Sequence, residues 1–263
     1  MKLPTGLLFE VRGLAGALQE EASPGPAGPI VVSGMLCEQL ARELSAGAEV
    51  GAVVVADAAS RQPAEVRVHV MAGEPSPADE ALVREADRAG TPVVLVQLWP
   101  QAQWTPPFVL TPFVVECRAG EGFPTEEIGG KIVEAAEHWT QLARRVPVLH
   151  EIVADKLVRS SVVRAALLAA LGGRGDGSRP VLTLEQTRAV ARLQSLQDGL
   201  RSDELPLVAG AAAASAVALG FLFREAASRA RNVLPAPVAN AVVAAAATWA
   251  LATVARRVRL PIG

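Results

Sequence analysis

The run of residues at positions 91–100, TPVVLVQLWP, constrains the fold of this chain more than any other stretch. It is apolar at consecutive positions, rich in β-branched side chains, and contains a proline near each end. Such a run is typical of a strand that is covered on both faces, as in a parallel sheet. The sequence therefore predicts that it is the central strand of a parallel sheet. A ligand of such a sheet would bind beyond the carboxyl end of the strand, at residues 97–100.

Composition narrows the class of protein. With 263 residues, of which 51% are hydrophobic, the chain is expected to form one large or two small domains around an ample core. Aromatic residues are few and Tyr is absent, so this core must consist of Val, Leu and Ala. The net charge of -2 provides no overall attraction to nucleic acid. The two cysteines, Cys37 and Cys117, are interpreted as small buried apolar residues in a reducing cytosol. No signal peptide is predicted.

Strands and helices are predicted to alternate between residues 30 and 145. Ser76 is a predicted N-cap, followed by Pro77 at the first helical position and by Asp79 in the first turn. Alternation at this spacing implies right-handed β-α-β crossovers and a three-layer sandwich with a mostly parallel sheet. The predicted strands span residues 30–33, 51–56, 66–71, 91–100 and 112–116, and the helices span 36–44, 76–89 and 124–145.

The flanking regions have a different character. Residues 1–29 are predicted to form an amphipathic helix followed by a Pro/Gly-rich linker. Residues 146–263 are predicted to form an all-α domain that begins with a helix at Pro147 and includes a capping box at residues 183–186. Two Ala-rich apolar segments follow at 205–223 and 233–255, and we interpret them as a helical hairpin. Each is long enough to cross a membrane, but their high Ala content also suits a buried hairpin in a soluble protein.

The order of elements resembles a known architecture. Residues 30–145 resemble a small GTPase-like, Rossmann-like domain, mainly through the strand at 92–96 and the strand at 112–115 that leads into residues 120–123, Gly-Glu-Gly-Phe. From Pro180 onward the chain resembles the apolar helical domain of YcjF-like bacterial proteins. Together these parts resemble an actinobacterial family that pairs a degenerate GTPase-like domain with a helical domain of unknown function.

The sequence departs from the GTPase pattern at each nucleotide motif. It contains no Gly-x-x-x-x-Gly-Lys-Ser/Thr string, whose backbone N–H groups and lysine would hold phosphate. Residues 97–100, Gln-Leu-Trp-Pro, replace the Asn-Lys-x-Asp motif that reads guanine, and residues 71–74 lack the acid of the switch motif. We therefore expect a pseudo-GTPase that is not an enzyme, with no catalytic residue, metal or cofactor.

Few residues are left as candidates for a site. The histidines His69, His138 and His150 lack metal-ligand spacing and are interpreted as structural residues at the surface or half-buried. Asp57 is interpreted as a cap at the end of a strand. If the chain does bind a nucleotide, the crevice at the carboxyl ends of the strands would be the place. Its candidate residues are Gly34, Asp57, Gly73, Gln97 and Gly120.

The leading hypothesis is a non-enzymatic scaffold or interaction module whose C-terminal helical domain holds it at a membrane or on a partner. Contact is expected through residues 205–255, at the cytoplasmic side of a bacterial inner membrane. An intact GTPase is one possible partner. Two alternatives stay open: a diverged nucleotide-binding protein or hydrolase, and a soluble cytoplasmic protein that forms a homo-oligomer. No nucleic-acid partner is expected.

Overall fold

The computed structural model describes residues 27–57, 62–101, 104–106, 109, 112–171, 182, 185–186, 188–190, 192–193, 196, 228–230 and 234–257. The described residues form two compact units whose boundary follows Val153. We call residues 27–153 the α/β unit and the residues from 154 onward the helical unit. The expected N-terminal helix, the capping box at Thr183 and the apolar segment 205–223 lie outside the described residues.

Five strands form one parallel sheet, which confirms the predicted α/β class. Their order across the sheet is β2-β1-β3-β4-β5, one of the common doubly wound orders. The strand expected at the centre, β4, is an interior strand between β3 and β5, and β3 is the middle one. The bounds are Ile30–Gly34 for β1, Val53–Val55 for β2, Val66–Ala72 for β3, Val93–Leu98 for β4 and Phe113–Cys117 for β5.

Both faces of β4 are covered, as the consecutive apolar residues predict. Val94 and Val96 are fully buried, and Leu95 between them is 2% exposed. Since side chains alternate along a strand, Leu95 faces the opposite layer from its two neighbours. It packs there against Leu82 and Val83 of a helix. The prediction that Val94 and Val96 are both buried is confirmed.

Helices cover the sheet on both sides, because the chain leaves β1 and β3 in opposite directions and each crossover is right-handed. The first, α1, spans Cys37–Leu44 and connects β1 to β2. The second, α2, spans Pro77–Arg88 and connects β3 to β4. It begins with the predicted Ser76 cap, here a full capping box with Asp79. The predicted three-layer sandwich is therefore present.

The expected single helix at 124–145 is wrong, because the structure divides it into α3, Thr125–Ala135, and α4, Trp139–Arg145. Ala136 is extended, with ψ of 135°. Two residues later, the backbone N–H of His138 donates to Glu65 Oε1 at 2.7 Å. We attribute the break to this carboxylate, which provides the N–H with an acceptor outside the helix.

The rest of the described chain is helical. A 3-10 turn at Pro147–Leu149 leads into α5, His150–Leu171, and α6 spans Ala236–Arg257. The second apolar segment is thus a helix that begins directly after Pro235. The described residues between 182 and 196 are also helical. Among them, Gln186 donates from Nε2 to Thr248 Oγ1 of α6 at 3.1 Å inside the helical unit.

Candidate functional site

The crevice expected in a doubly wound sheet lies at the carboxyl ends of β1 and β3, where the two crossovers diverge. Gly34 ends β1 there with φ of 95°. A Cβ at this position would lie 2.0 Å from the carbonyl oxygen of Val70 on β3. That same oxygen accepts the N–H of Met35 at 2.9 Å. Gly34 therefore permits the close approach of two backbones, and this explains its presence without a ligand.

The loop after β1 is too short to hold phosphate. Only Met35 and Leu36 separate Gly34 from the first residue of α1. Leu36 occupies the N-cap position in a left-handed conformation and provides no side-chain cap. Glu38 adds a negative charge to the first turn of the helix, where a phosphate would otherwise be attracted.

Gln97 is directed inward and its amide is engaged on both sides. Its Nε2 donates to the carbonyl of Gly73 at 3.0 Å, and its Oε1 accepts the backbone N–H of Trp104 at 3.0 Å. The residue is 1% exposed. It therefore joins the loop that follows β3 to the loop that follows β4. This arrangement stabilises the loops, and it leaves the amide unsuited to reading a base.

A buried chain of hydrogen bonds joins β1, β3 and α2 beside this crevice. Ser33 Oγ lies 3.0 Å from His69 Nδ1, and His69 Nε2 lies 2.7 Å from Asp79 Oδ1. Since an ionised carboxylate only accepts, Nε2 carries the proton, and Nδ1 accepts from the serine hydroxyl. His69 is 2% exposed, so the interpretation of this histidine as a surface or half-buried residue is wrong. It is buried because both faces of β3 are covered.

Several hydrogen bonds favour the charged form of Asp79. Burial alone would raise the pKa of this carboxyl group. The hydrogen bonds from His69 and Ser76 outweigh that effect and lower the pKa below its ordinary value of 3.8. The composition Ser-His-Asp is that of a hydrolase triad, but Ser33 is fully buried and cannot reach a substrate in this structure. Here the three residues connect elements of the fold.

The other crevice candidates do not converge with these residues. Asp57 is exposed after β2, and the residues that it was expected to cap lie outside the described part of the chain. Gly73 and Gly120 have φ of 64° and 84°, and a Cβ at either would meet no atom within 4 Å. Each serves a turn. The structure thus distributes the five candidates over separate structural tasks.

Cys117 ends β5 and is 3% exposed, whereas Cys37 is partly exposed. Burial raises the pKa of the Cys117 thiol to about 11, and the negative charges of Glu127 and Glu121 raise it further in the same direction. The thiol is therefore protonated and unreactive at neutral pH. The prediction of a buried apolar cysteine is confirmed for Cys117, but it is wrong for Cys37, which lies in the first turn of α1.

The surface of the helical unit carries two apolar stripes. Val163, Leu167 and Leu171 are exposed at four-residue spacing along α5. On α6 the exposed large apolar residues are Val238, Val242, Trp249 and Val254, and the first three follow one side of the helix. Most of these side chains are more than half exposed, and Trp249 is 59% exposed.

Sequence reasoning anticipated the crevice but missed the hydrogen-bonded chain within it. The signal was available in part, because Ser33, His69 and Gln97 are polar residues inside otherwise apolar strands. Comparisons of the chain with family models, with curated proteins and with solved structures give no match.

Proposed function

We propose that this protein is a non-enzymatic scaffold, in which the helical unit attaches the α/β unit to a membrane or to another protein chain. The observation that carries the proposal is the apolar stripe on α6. Its four side chains expose roughly 400 Å2 of apolar surface, which is as large as the main patch of a typical monomer. Their removal from water would favour docking by roughly 10 kcal/mol before the costs of association.

The form of α6 favours a membrane as the docking surface. Residues Ala236–Arg256 are long and apolar enough to cross a bilayer, judged on length and a mean hydropathy of 1.7 alone. Core helices of soluble proteins pass the same test, so the exposed stripe is the more informative feature. Trp249 on that stripe suits the interface between headgroups and hydrocarbon. By this proposal the protein lies at the cytoplasmic side of a bacterial inner membrane.

The degenerate GTPase-like assignment of the α/β unit belongs to the same proposal. Its support is the doubly wound parallel sheet combined with a two-residue loop after β1 and an inward amide at Gln97. An intact GTPase as partner, or a second copy of this chain, would fit a scaffold of this kind. No feature of the described residues favours the alternative of a nucleotide-dependent hydrolase.

Flotation of the full-length protein with lipid vesicles tests the proposal. The wild-type protein should float with vesicles, or form an oligomer without detergent, whereas the double variant Val242→Asp/Trp249→Asp should stay monomeric and soluble. Val50→Asp, at a fully exposed position of the α/β unit, is the matched control and should behave as wild type. A wild-type protein that is monomeric and fails to float would refute the attachment. Calorimetry with magnesium and GTP or ATP tests the other half, where a micromolar Kd, about -8 kcal/mol, would restore the nucleotide-binding alternative.

A further inference from the structure

A second exposed surface lies on the α/β unit, at the carboxyl ends of the strands. We call it the carboxyl rim and define it as the described residues 35–38, 55–57, 73–76, 99–101 and 118–127. The described part of the α/β unit has five exposed large apolar residues. Four of them lie on this rim: Met35, Leu36, Val55 and Trp99.

Two of these apolar residues also have an unfavourable backbone conformation. Leu36 has φ of 53° and Trp99 has φ of 50°, and they are the only residues other than glycine with positive φ in the described chain. For bulky side chains this conformation is a true outlier, and strain of this kind concentrates at functional sites. Each of them is about half exposed. Exposure and strain both oppose folding stability, and their coincidence at one rim points to a binding role.

The charge of the rim is strongly one-sided. Among the described rim residues Arg118 is the sole basic one, while several exposed acids follow the strand ends. The negative charges near β5 are also felt by Cys117, whose pKa they raise. The exposed acids are Glu38, Asp57, Glu74, Glu121, Glu126 and Glu127.

The opposite end of the sheet is arranged differently, because its charged residues bind one another. Glu65 accepts from the backbone N–H and ring of His138, at 2.7 Å and 3.2 Å. Arg145 pairs with Glu49 at 3.1 Å and donates to the carbonyl of Ala27. Those charges hold the fold closed. The acids of the carboxyl rim surround exposed apolar side chains instead.

We propose that the carboxyl rim binds a short, basic, amphipathic segment of a partner protein. Apolar anchors on the segment would cover Leu36 and Trp99, and its Lys or Arg side chains would face the acids. The strands β1 and β4 that precede the two anchors are separated by β3 alone, so they lie about 10 Å apart. Two turns of a helix, or three residues of an extended chain, span that distance.

The charge of the rim favours a protein segment over other occupants. Phosphate groups of nucleotides, nucleic acids and anionic lipids would be repelled by the acids. A second copy of this chain, with a net charge of -2, lacks an overall positive complement. The proposal does not depend on the helical unit or on its attachment to a membrane.

Peptide selection against the full-length protein tests the proposal. The probe is a random library of peptides of about 12 residues displayed on phage, long enough for either binding mode. The selected peptides should combine Lys or Arg with large apolar residues. Their binding should weaken about tenfold in Trp99→Asn and in the double variant Glu74→Lys/Glu121→Lys. It should also weaken when salt is raised from about 50 mM to about 500 mM.

Matched controls use the opposite end of the sheet. Val50→Asn and Glu137→Lys should change peptide affinity by less than about twofold. Asn tolerates positive φ, so Trp99→Asn should retain the melting temperature of the wild type. A marked fall in that temperature would mean that Trp99 serves the fold, and the proposal would be wrong.

Other occupants give distinct results. Binding to phosphatidylserine vesicles that Trp99→Asn abolishes would assign the rim to lipid. An oligomer that the same substitution dissociates would assign it to a second copy of the chain. Either result, an absence of selected peptides, or peptides without basic residues would overturn the proposal.

Discussion

Replacement of Asp79 by Ala should destabilise the α/β unit by about 3 kcal/mol. The carboxylate accepts from His69 Nε2 at 2.7 Å and from the backbone N–H and hydroxyl of Ser76 at 2.7 Å and 2.6 Å. Loss of the capping box costs about 1 kcal/mol, and the buried imidazole N–H left without an acceptor costs about 1–3 kcal/mol. These contributions share one side chain, so their simple addition would overstate the loss.

Urea unfolding followed by tryptophan fluorescence measures this effect. Three of the four tryptophans, Trp99, Trp104 and Trp139, belong to the α/β unit, so a Trp249→Phe background restricts the signal to that unit. With a slope near 1.5 kcal/mol per molar urea, the midpoint should fall by about 2 M. Glu80→Ala is the matched control, because its 3.4 Å pair with Arg84 is exposed and should contribute less than about 0.5 kcal/mol.

The stabilisation by Asp79 should also depend on pH in a defined direction. Its pKa is lower in the folded protein than the ordinary 3.8, so the unfolded chain binds the proton more readily. The contribution is complete above the unfolded pKa and is lost as pH falls through the folded pKa. The stability difference between wild type and Asp79→Asn should therefore shrink between about pH 5 and pH 3. A loss below about 1 kcal/mol in Asp79→Ala at neutral pH, or additivity with His69→Ala, would refute the network.

Two further predictions concern single residues. Gly34→Ala should cost more than about 3 kcal/mol in urea unfolding, because its Cβ would lie 2.0 Å from Val70 O, whereas Gly73→Ala meets no atom and should cost only about 1–2 kcal/mol of backbone strain; equal losses would contradict the proposed close approach. In thiol titration of the native protein at about pH 8, Cys37 should react rapidly, whereas Cys117, with a pKa of about 11, should have roughly one thiolate in a thousand molecules. The Cys37→Ser substitution should remove the rapid phase; its loss in Cys117→Ser instead would show that the raised pKa is wrong.

Local patterns in the sequence were sufficient to predict most elements of the α/β unit. Apolar runs located all five strands, and the residues Ser76, Pro77 and Asp79 located the start of α2 correctly. Such signals succeed because the physical cause of the element lies within a few neighbouring residues. The break between α3 and α4 depends on Glu65, which is 73 residues away from its partner His138. No local pattern contains that information.

The site was harder to predict than the fold for a related reason. Gln97 was a reasonable crevice candidate, since a polar residue at the end of a buried strand commonly faces a ligand. Its actual partners are backbone groups of Gly73 and Trp104, and the identity of a residue does not reveal which backbone groups will approach it. The positive φ of Leu36 and Trp99 was equally invisible, because bulky apolar residues seldom adopt it.

The distribution of polar groups at the carboxyl end of the sheet argues for a binding function. A catalytic crevice directs its hydrogen-bonding side chains toward a substrate. Here Ser33, His69 and Gln97 are buried and bonded within the protein. The surface outside them offers exposed apolar side chains and carboxylates, which suit macromolecular contacts better than chemistry. Because the apolar stripe of α6 is exposed as well, each unit has its own candidate contact surface, and a scaffold that joins two partners requires that arrangement.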